Sequence, residues 1–141
     1  MSLTINKDFG YVILGVTCTS RWVMALRKKY SISYPDMGCG IHAQKLDEKQ
    51  WTEFNNAQRA HYNYLEQLPL ALPLALFAGV FQPKIAAAGC ITYIVGREFF
   101  CRGYMAKGSS GRFLGMPLML PTLLTWLVLT VHGSVKMVGW I

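Results

Sequence analysis

The stretch FLGMPLMLPTLLTWLVLTV, Phe113 to Val131, contains no charged side chain from end to end. A helix needs about 20 predominantly apolar residues to cross the hydrocarbon core of a bilayer, and this stretch approaches that length. A helix on the surface of a soluble bundle would carry polar residues on its outer face, and this stretch offers no such face. It therefore predicts a membrane-spanning helix and argues against a soluble four-helix bundle.

The composition of the whole chain agrees with a membrane protein. Its 141 residues are 52% hydrophobic and only 15% charged, whereas about 25% of a typical soluble domain is charged. The net charge is +7, but the basic residues are scattered, so we expect them to face anionic lipid or an anionic substrate rather than nucleic acid. By length the chain is one domain, 1–141.

Three further hydrophobic segments precede the quoted one. They span roughly 9–26, 51–81 and 84–104, and the quoted stretch extends to 113–138. We interpret the first as a retained membrane segment rather than a signal peptide, because no small-residue cleavage site follows it. The first three have shorter uncharged runs and polar turns, which must face protein or a water-filled cavity inside a membrane. The sequence thus predicts an all-α, integral membrane four-helix bundle.

The basic residues fall in alternate loops, which predicts the orientation of the bundle. The loops after the first and third segments hold Arg27, Lys28, Lys29, Lys45, Lys49, Lys107 and Arg112. The loop between the second and third segments offers only Lys84. Because cytoplasmic loops carry an excess of Lys and Arg, we expect the first and third loops in the cytosol. The polar ends of the second and third segments, and any site they build, then open to the cytosol.

The second segment begins with the polar stretch FNNAQRAHYNYLEQLP, Phe54 to Pro69. Residues three and four apart share a helix face, which places Asn55, Arg59, Asn63 and Glu66 on one stripe. Such a stripe can hold a small zwitterion, with Arg59 on a carboxylate and Glu66 on an ammonium group. An internal salt bridge between two helices explains the same charges equally well. His61 lies about 200° from Arg59 around the helix.

The cysteines give no indication of a metal site. Cys18, Cys39, Cys90 and Cys101 show no close pairing, and Cys39 with His42 is only a C-x2-H fragment. A structural zinc site needs two more ligands nearby. The remaining three lie in apolar runs and are expected to pack as small hydrophobic residues.

These motifs together resemble the MAPEG family, the membrane-associated proteins in eicosanoid and glutathione metabolism. The most specific part is R-x-x-x-N-x-x-E followed by proline, within 54–69. RKKYSISYP, QPKIA and IVGREFFCRGY match in order and spacing, and the likeness is strongest to the branch of microsomal glutathione S-transferase type 3. The resemblance implies a homotrimer with three glutathione sites between neighbouring subunits, in the membrane of the endoplasmic reticulum or the outer mitochondrial membrane.

The resemblance also assigns residues, position by position. Arg112 matches the arginine that activates the glutathione thiol. The positions implied to bind glutathione are Ser20, Arg27, Arg59, His61, Asn63, Glu66, Gln67, Phe100 and Tyr104. Of these, Arg27 and His61 would reach across to the neighbouring subunit's site, and Ser20 lies one helical turn before Arg27. Phe100 and Gln67 stand where family members carry tyrosine, which puts those two contacts in doubt.

The implied activity is glutathione transfer to lipophilic electrophiles, leukotriene-type epoxides among them, and glutathione-dependent reduction of lipid hydroperoxides. Glutathione is then a substrate, and a detoxifying or eicosanoid-related role follows. The alternative is a non-catalytic adaptor of the same superfamily that binds fatty acid and presents it to a partner enzyme. Such an adaptor is expected to lack the glutathione-binding residues, which this chain has.

Overall fold

The computed structural model describes residues 20–140, with the backbone alone at Ser20. Within that range the chain is all helical and has no strand, which confirms the predicted all-α class. The four α-helices are α1 Ser20–Tyr30, α2 Glu48–Phe81, α3 Pro83–Lys107 and α4 Met116–Val138, with short 3₁₀ segments at Ala43–Lys45 and Gly108–Leu114. The part of the first predicted segment up to residue 19 lies outside the described residues, and α1 continues past the predicted end at 26.

Local signals explain why α2 and α3 begin where they do. α2 starts three residues before the predicted position because Asp47 and Gln50 form a capping box, with Asp47 Oδ1 accepting from Gln50 N at 2.8 Å. α3 begins at Pro83, whose missing N–H and fixed φ suit the first turn of a helix. Only Gln82 separates the two helices. They therefore form an antiparallel hairpin.

The ends of α3 and α4 also differ from the predicted bounds. α3 runs to Lys107 rather than 104 and stops at Gly108, whose φ of 61° is in the left-handed region. The chain then turns through the 3₁₀ segment, so α4 begins at Met116 rather than 113. A side chain at Gly115 would place its Cβ 2.1 Å from the Gly96 carbonyl oxygen. That glycine is needed because α3 and the start of α4 approach backbone to backbone.

The packing of α2 is typical of a helix in lipid. Its buried positions in the apolar half are small, and its exposed ones are large. The buried set is Ala71, Ala75, Ala78 and Gly79, and the exposed set includes Leu70, Phe77 and Val80. Small residues let helix backbones approach closely where lipid, rather than water, surrounds the bundle. Among the described helices, α2 and α4 are long and apolar enough to cross a membrane, with hydropathies of 1.4 and 1.6 over their best windows.

The loop between α1 and α2 folds around one carboxylate. Asp36 Oδ1 accepts from the backbone N–H groups of Gly38 and Gly40 at 2.8 and 2.9 Å. Its Oδ2 accepts from those of His42 and Ala43, each at 2.9 Å. Burial alone would raise the pKa of Asp36, but the four backbone donors outweigh it and lower the pKa to about 2. The ionised carboxylate is therefore the structural element that holds the loop.

Asp36→Asn is expected to loosen this loop while leaving the helices intact, because an amide has one acceptor oxygen for four donors. Limited proteolysis at neutral pH should cut the variant faster within 36–44. The control is Asp47→Asn, because asparagine caps a helix as well as aspartate does. In the wild type the pKa of Asp36 is lower folded than unfolded. The carboxylate's contribution is therefore full above about pH 4 and is lost as pH falls towards 2. Equal cleavage of both variants at neutral pH would contradict this role.

Candidate functional site

Charged side chains stand on the outer face of α2 at the predicted stripe. Arg59 and Glu66 are exposed, seven positions and two turns apart, and Asn63 lies half-buried between them. Asn63 Nδ2 donates to the Arg59 carbonyl oxygen at 2.8 Å, which fixes the orientation of that amide. Asn55 makes the same kind of bond two turns earlier, its Nδ2 donating to the Trp51 carbonyl at 3.0 Å. The stripe is therefore a guanidinium, two amides and a carboxylate.

The structure argues against the salt-bridge interpretation of these charges. Neither Arg59 nor Glu66 joins an ion pair with any residue between 20 and 140. The ion pairs in that range are Arg21–Glu98 at 2.7 Å, Arg102–Glu98 at 2.8 Å and Lys29–Glu53 at 3.2 Å. Arg21 thus pairs with an acidic residue of α3. Within 20–140, therefore, the charges of Arg59 and Glu66 have no ion-pair partner.

The position of these charges along α2 explains why they need a partner. If Phe81 marks the far edge of the hydrocarbon core, Glu66 lies about 22 Å away along the helix and Arg59 about 33 Å. The core is about 30 Å thick, so Glu66 falls within it and Arg59 at its near edge. A charge facing lipid at that depth is costly, and such residues ordinarily face protein, a ligand or a water-filled cavity.

The opposite side of the same turns packs against α3. Arg97 is buried, 4% exposed, and its Nη2 donates to the Asn63 carbonyl oxygen at 2.8 Å. Its guanidinium lies 4.6 Å from the ring centre of Tyr64 and 5.1 Å from that of Phe100. One helical turn along α2, Gln67 Oε1 accepts from Tyr93 Oη at 3.1 Å.

Two predicted site residues therefore serve the bundle interior in the single chain. Phe100 is 7% exposed and stacks on Tyr104 with ring centres 5.9 Å apart. Gln67 is engaged by Tyr93. These are also the two positions at which the resemblance puts a contact in doubt. The sequence did not indicate this burial, because a helical wheel gives the angle between residues but not the side on which neighbours pack.

Two glycines bring the 3₁₀ segment that carries Arg112 onto α3. A Cβ on Gly111 would lie 1.8 Å from the Gly103 carbonyl oxygen and 3.0 Å from Tyr104 N. The 3₁₀ segment thus lies directly on the backbone of α3, next to the predicted residue Tyr104. Arg112, the residue after Gly111, is exposed, with its guanidinium 5.4 Å from the Phe113 ring centre. Tyr104 stacks on Phe100, which lies beside Arg97.

Arg27 occupies a position within its own chain. It is 5% exposed, and its guanidinium lies 4.0 Å from the Tyr34 ring centre. Its Nη1 donates to the Ile32 carbonyl at 3.3 Å, and its Nη2 lies 3.2 Å from the sulfur of Met37. The Arg27 side chain therefore joins the end of α1 to the Asp36 loop. The role across subunits expected for it stays a prediction.

His61 and Ser20 are the two predicted site residues that remain. His61 is half-buried on α2, with its ring centre 6.3 Å from that of Tyr62. Ser20 begins the described part of α1, and its side chain lies outside the described residues. No group of three or more His, Cys, Asp or Glu side chains able to hold a metal occurs between 20 and 140.

Sequence reasoning left the role of Arg97 open and missed Asp36 altogether. A polar signal was present in each case, since an arginine in a membrane segment and an aspartate in a glycine-containing loop both require partners. Their partners are backbone atoms, which carry no signature in the sequence.

A protein-family model described as MAPEG family matches residues 10–132 of the chain, from before the described residues to the last turns of α4.

Proposed function

This chain belongs to the MAPEG family of membrane helical bundles, and from that premise we propose that it is a glutathione transferase with glutathione peroxidase activity. The family ties the protein to glutathione and eicosanoid metabolism at a membrane. The observation that supports the proposal best is the open pair Arg59 and Glu66 with Asn63 between them. Glutathione is a zwitterionic tripeptide, and these groups complement its carboxylates, its ammonium group and its peptide bonds.

The proposed site lies between neighbouring copies of the chain in a homotrimer. The exposed charges of α2 stand beside large exposed apolar residues such as Leu65 and Leu70. An adjoining copy would cover both, turning a costly lipid-facing surface into a polar cavity. His61 and Arg27 of that copy are the residues proposed to reach in. The site would open to the cytosol, in the membrane of the endoplasmic reticulum or the outer mitochondrial membrane.

The proposed chemistry begins with the thiol. A thiol with a pKa of about 8.5 is mostly protonated at neutral pH and is then a poor nucleophile. The guanidinium of Arg112, which is exposed, would stabilise the thiolate and lower that pKa. Arg59 and Glu66 would meanwhile hold the ends of the tripeptide, so that binding and activation fall to different residues.

Two reactions follow from a bound thiolate. On an epoxide, the sulfur attacks carbon, the C–S bond forms as the C–O bond breaks, and the alkoxide takes a proton to give a thioether alcohol. With a hydroperoxide, two glutathione molecules are oxidised to the disulfide while the O–O bond is reduced to an alcohol and water. The apolar acceptor would arrive from the bilayer along the exposed apolar faces of the helices. Both products require a soluble tripeptide to meet a membrane-dissolved partner.

Calorimetric titration of the detergent-solubilised protein with glutathione tests the proposal. We expect binding to the wild type and about a tenfold weaker Kd for Glu66→Gln, because a hydrogen bond to a charged group contributes about 1.5–3 kcal/mol. The matched control is Glu48→Gln in the first turn of the same helix, which should bind as the wild type does. Absence of binding to the wild type at millimolar glutathione would reject the enzyme and leave the lipid-binding adaptor.

A further inference from the structure

Arg97 is a buried cation without an acidic partner. It is 4% exposed and makes no ion pair with any residue between 20 and 140. In that range its Nη1 also lacks a hydrogen-bond acceptor. A buried charge of this kind carries a large desolvation cost, and a well-packed apolar residue of similar volume often replaces one with no loss of stability. Stability of the bundle is therefore a poor explanation for an arginine here.

Between residues 20 and 140, the hydrogen bond that Arg97 makes is to the backbone of Asn63, a residue of the stripe. Its Nη2 donates to Asn63 O at 2.8 Å, and Asn63 Nδ2 donates to Arg59 O at 2.8 Å. The two bonds form a chain from α3, through the backbone of α2, to the residue that carries the exposed guanidinium. Three aromatic rings fix the donor, with centres 4.6 Å (Tyr64), 5.1 Å (Phe100) and 5.8 Å (Tyr93) from its guanidinium carbon.

A proline next to these hydrogen bonds makes this part of α2 prone to bend. Pro69 lies inside the helix, three residues beyond Glu66. Its ring removes the N–H that would bond the Leu65 carbonyl and crowds that carbonyl, which favours a kink. Two hydrogen bonds from α3 reach α2 on either side of Glu66. Arg97 donates to the Asn63 carbonyl, and Tyr93 Oη donates to Gln67 Oε1 at 3.1 Å. Both hydrogen bonds attach to α2 on the N-terminal side of Pro69.

We infer that Arg97 is a positioning residue that sets the bend and rotation of α2 where Arg59, Asn63 and Glu66 stand. It touches no ligand itself and acts through the Asn63 carbonyl. This inference rests on the proposed glutathione site. A displacement of about 1 Å can cost up to about a hundredfold in a site that depends on several simultaneous contacts. The function of the Arg97 cation is then to set the geometry of the outer face of α2.

The test uses the full-length trimer or monomer as purified, with Arg97→Met, Arg97→Lys and Ala78→Val. Methionine keeps the length and packing of arginine but cannot donate, so the melting temperature should hold or rise while the Kd for glutathione weakens about tenfold. The kcat at saturating glutathione should stay within about twofold, because no reacting atom is touched. Arg97→Lys, which keeps one donor, should recover part of the affinity.

Ala78→Val controls for general destabilisation. Ala78 is fully buried on α2, 12 positions beyond Glu66 and about 18 Å along the helix. Overpacking there should lower the melting temperature by about 5 °C and leave the Kd unchanged. Hydrogen exchange of the ligand-free protein should quicken at 59–67 in Arg97→Met only.

The outcomes separate this inference from the proposed function. A wild type that binds glutathione, with Arg97→Met binding it equally well, would overturn the positioning role alone. Equal loss of affinity in Arg97→Met and Ala78→Val would overturn it too, since any destabilisation would then suffice. Wild-type protein that binds no glutathione would remove both, whatever the exchange pattern.

Discussion

Gly111→Val is expected to abolish glutathione turnover and to lower the melting temperature by more than about 5 °C, the effect of roughly 1–3 kcal/mol of overpacking. Any Cβ at this position would lie 1.8 Å from the Gly103 carbonyl oxygen and 2.2 Å from its carbon. Both atoms belong to the backbone of α3, so no side chain can move aside. The 3₁₀ segment must instead lift away from α3 and carry Arg112 with it.

Differential scanning fluorimetry, which follows the tryptophans, and a transferase assay at saturating glutathione give the two readouts. Ser109→Ala, in the same segment but exposed, is the control and should match the wild type in both. Gly103→Val should reproduce the defect from the other side of the contact, where a Cβ would meet Gly111 O at 2.1 Å. A Gly111→Val protein with wild-type melting temperature and turnover would show that this contact does not anchor Arg112.

The features of α2 that were predictable from the sequence are local. Its stripe needs only the helical repeat, and the spacing of Arg59, Asn63 and Glu66 is preserved because all three lie in one continuous helix, before Pro69. Even its early start at Glu48 has a local cause, the capping box of Asp47 and Gln50. Element class and the polar face could therefore be derived before any packing was known.

Several features that escaped prediction depend on how one element packs against another. The burial of Phe100 and the engagement of Gln67 follow from the register of α3 against α2, which no single helix specifies. The close approach of Gly103 and Gly111 depends on how the 3₁₀ segment folds back. The sequence shows two glycines eight positions apart, but it does not show which backbone each one meets.

The proposed division between glutathione binding and thiol activation also depends on geometry. Arg59 and Glu66 belong to one face of α2, whereas Arg112 comes from a 3₁₀ segment that lies against α3 at Gly103. Separate anchoring means that removing one arginine need not disturb the other. That separation makes it possible to test thiol activation without losing the bound tripeptide.

Arg112→Ala is expected to raise the pKa of bound glutathione towards its solution value, with little change in glutathione affinity. A thiol with a pKa of about 8.5 is roughly 3% ionised at pH 7. A cation at hydrogen-bond range that lowers the pKa by about two units, worth about 1.4 kcal/mol each, makes the thiolate the major form at that pH. The chemical step at pH 7 should therefore slow by about 25-fold.

The pH dependence distinguishes thiol activation from a structural defect in the same variant. If Arg112 acts on ionisation, the deficit of Arg112→Ala should shrink as pH rises, because hydroxide then forms the thiolate without help. Ultraviolet difference spectra against pH would follow the thiolate itself. Arg112→Lys, which keeps a cation, should retain much of the low-pH absorbance, and Lys107→Ala should retain all of it, since that exposed cation ends α3 on the other side of Gly108. Full thiolate absorbance at pH 7 in Arg112→Ala would transfer the activating role to Arg27 or to the Tyr104 hydroxyl.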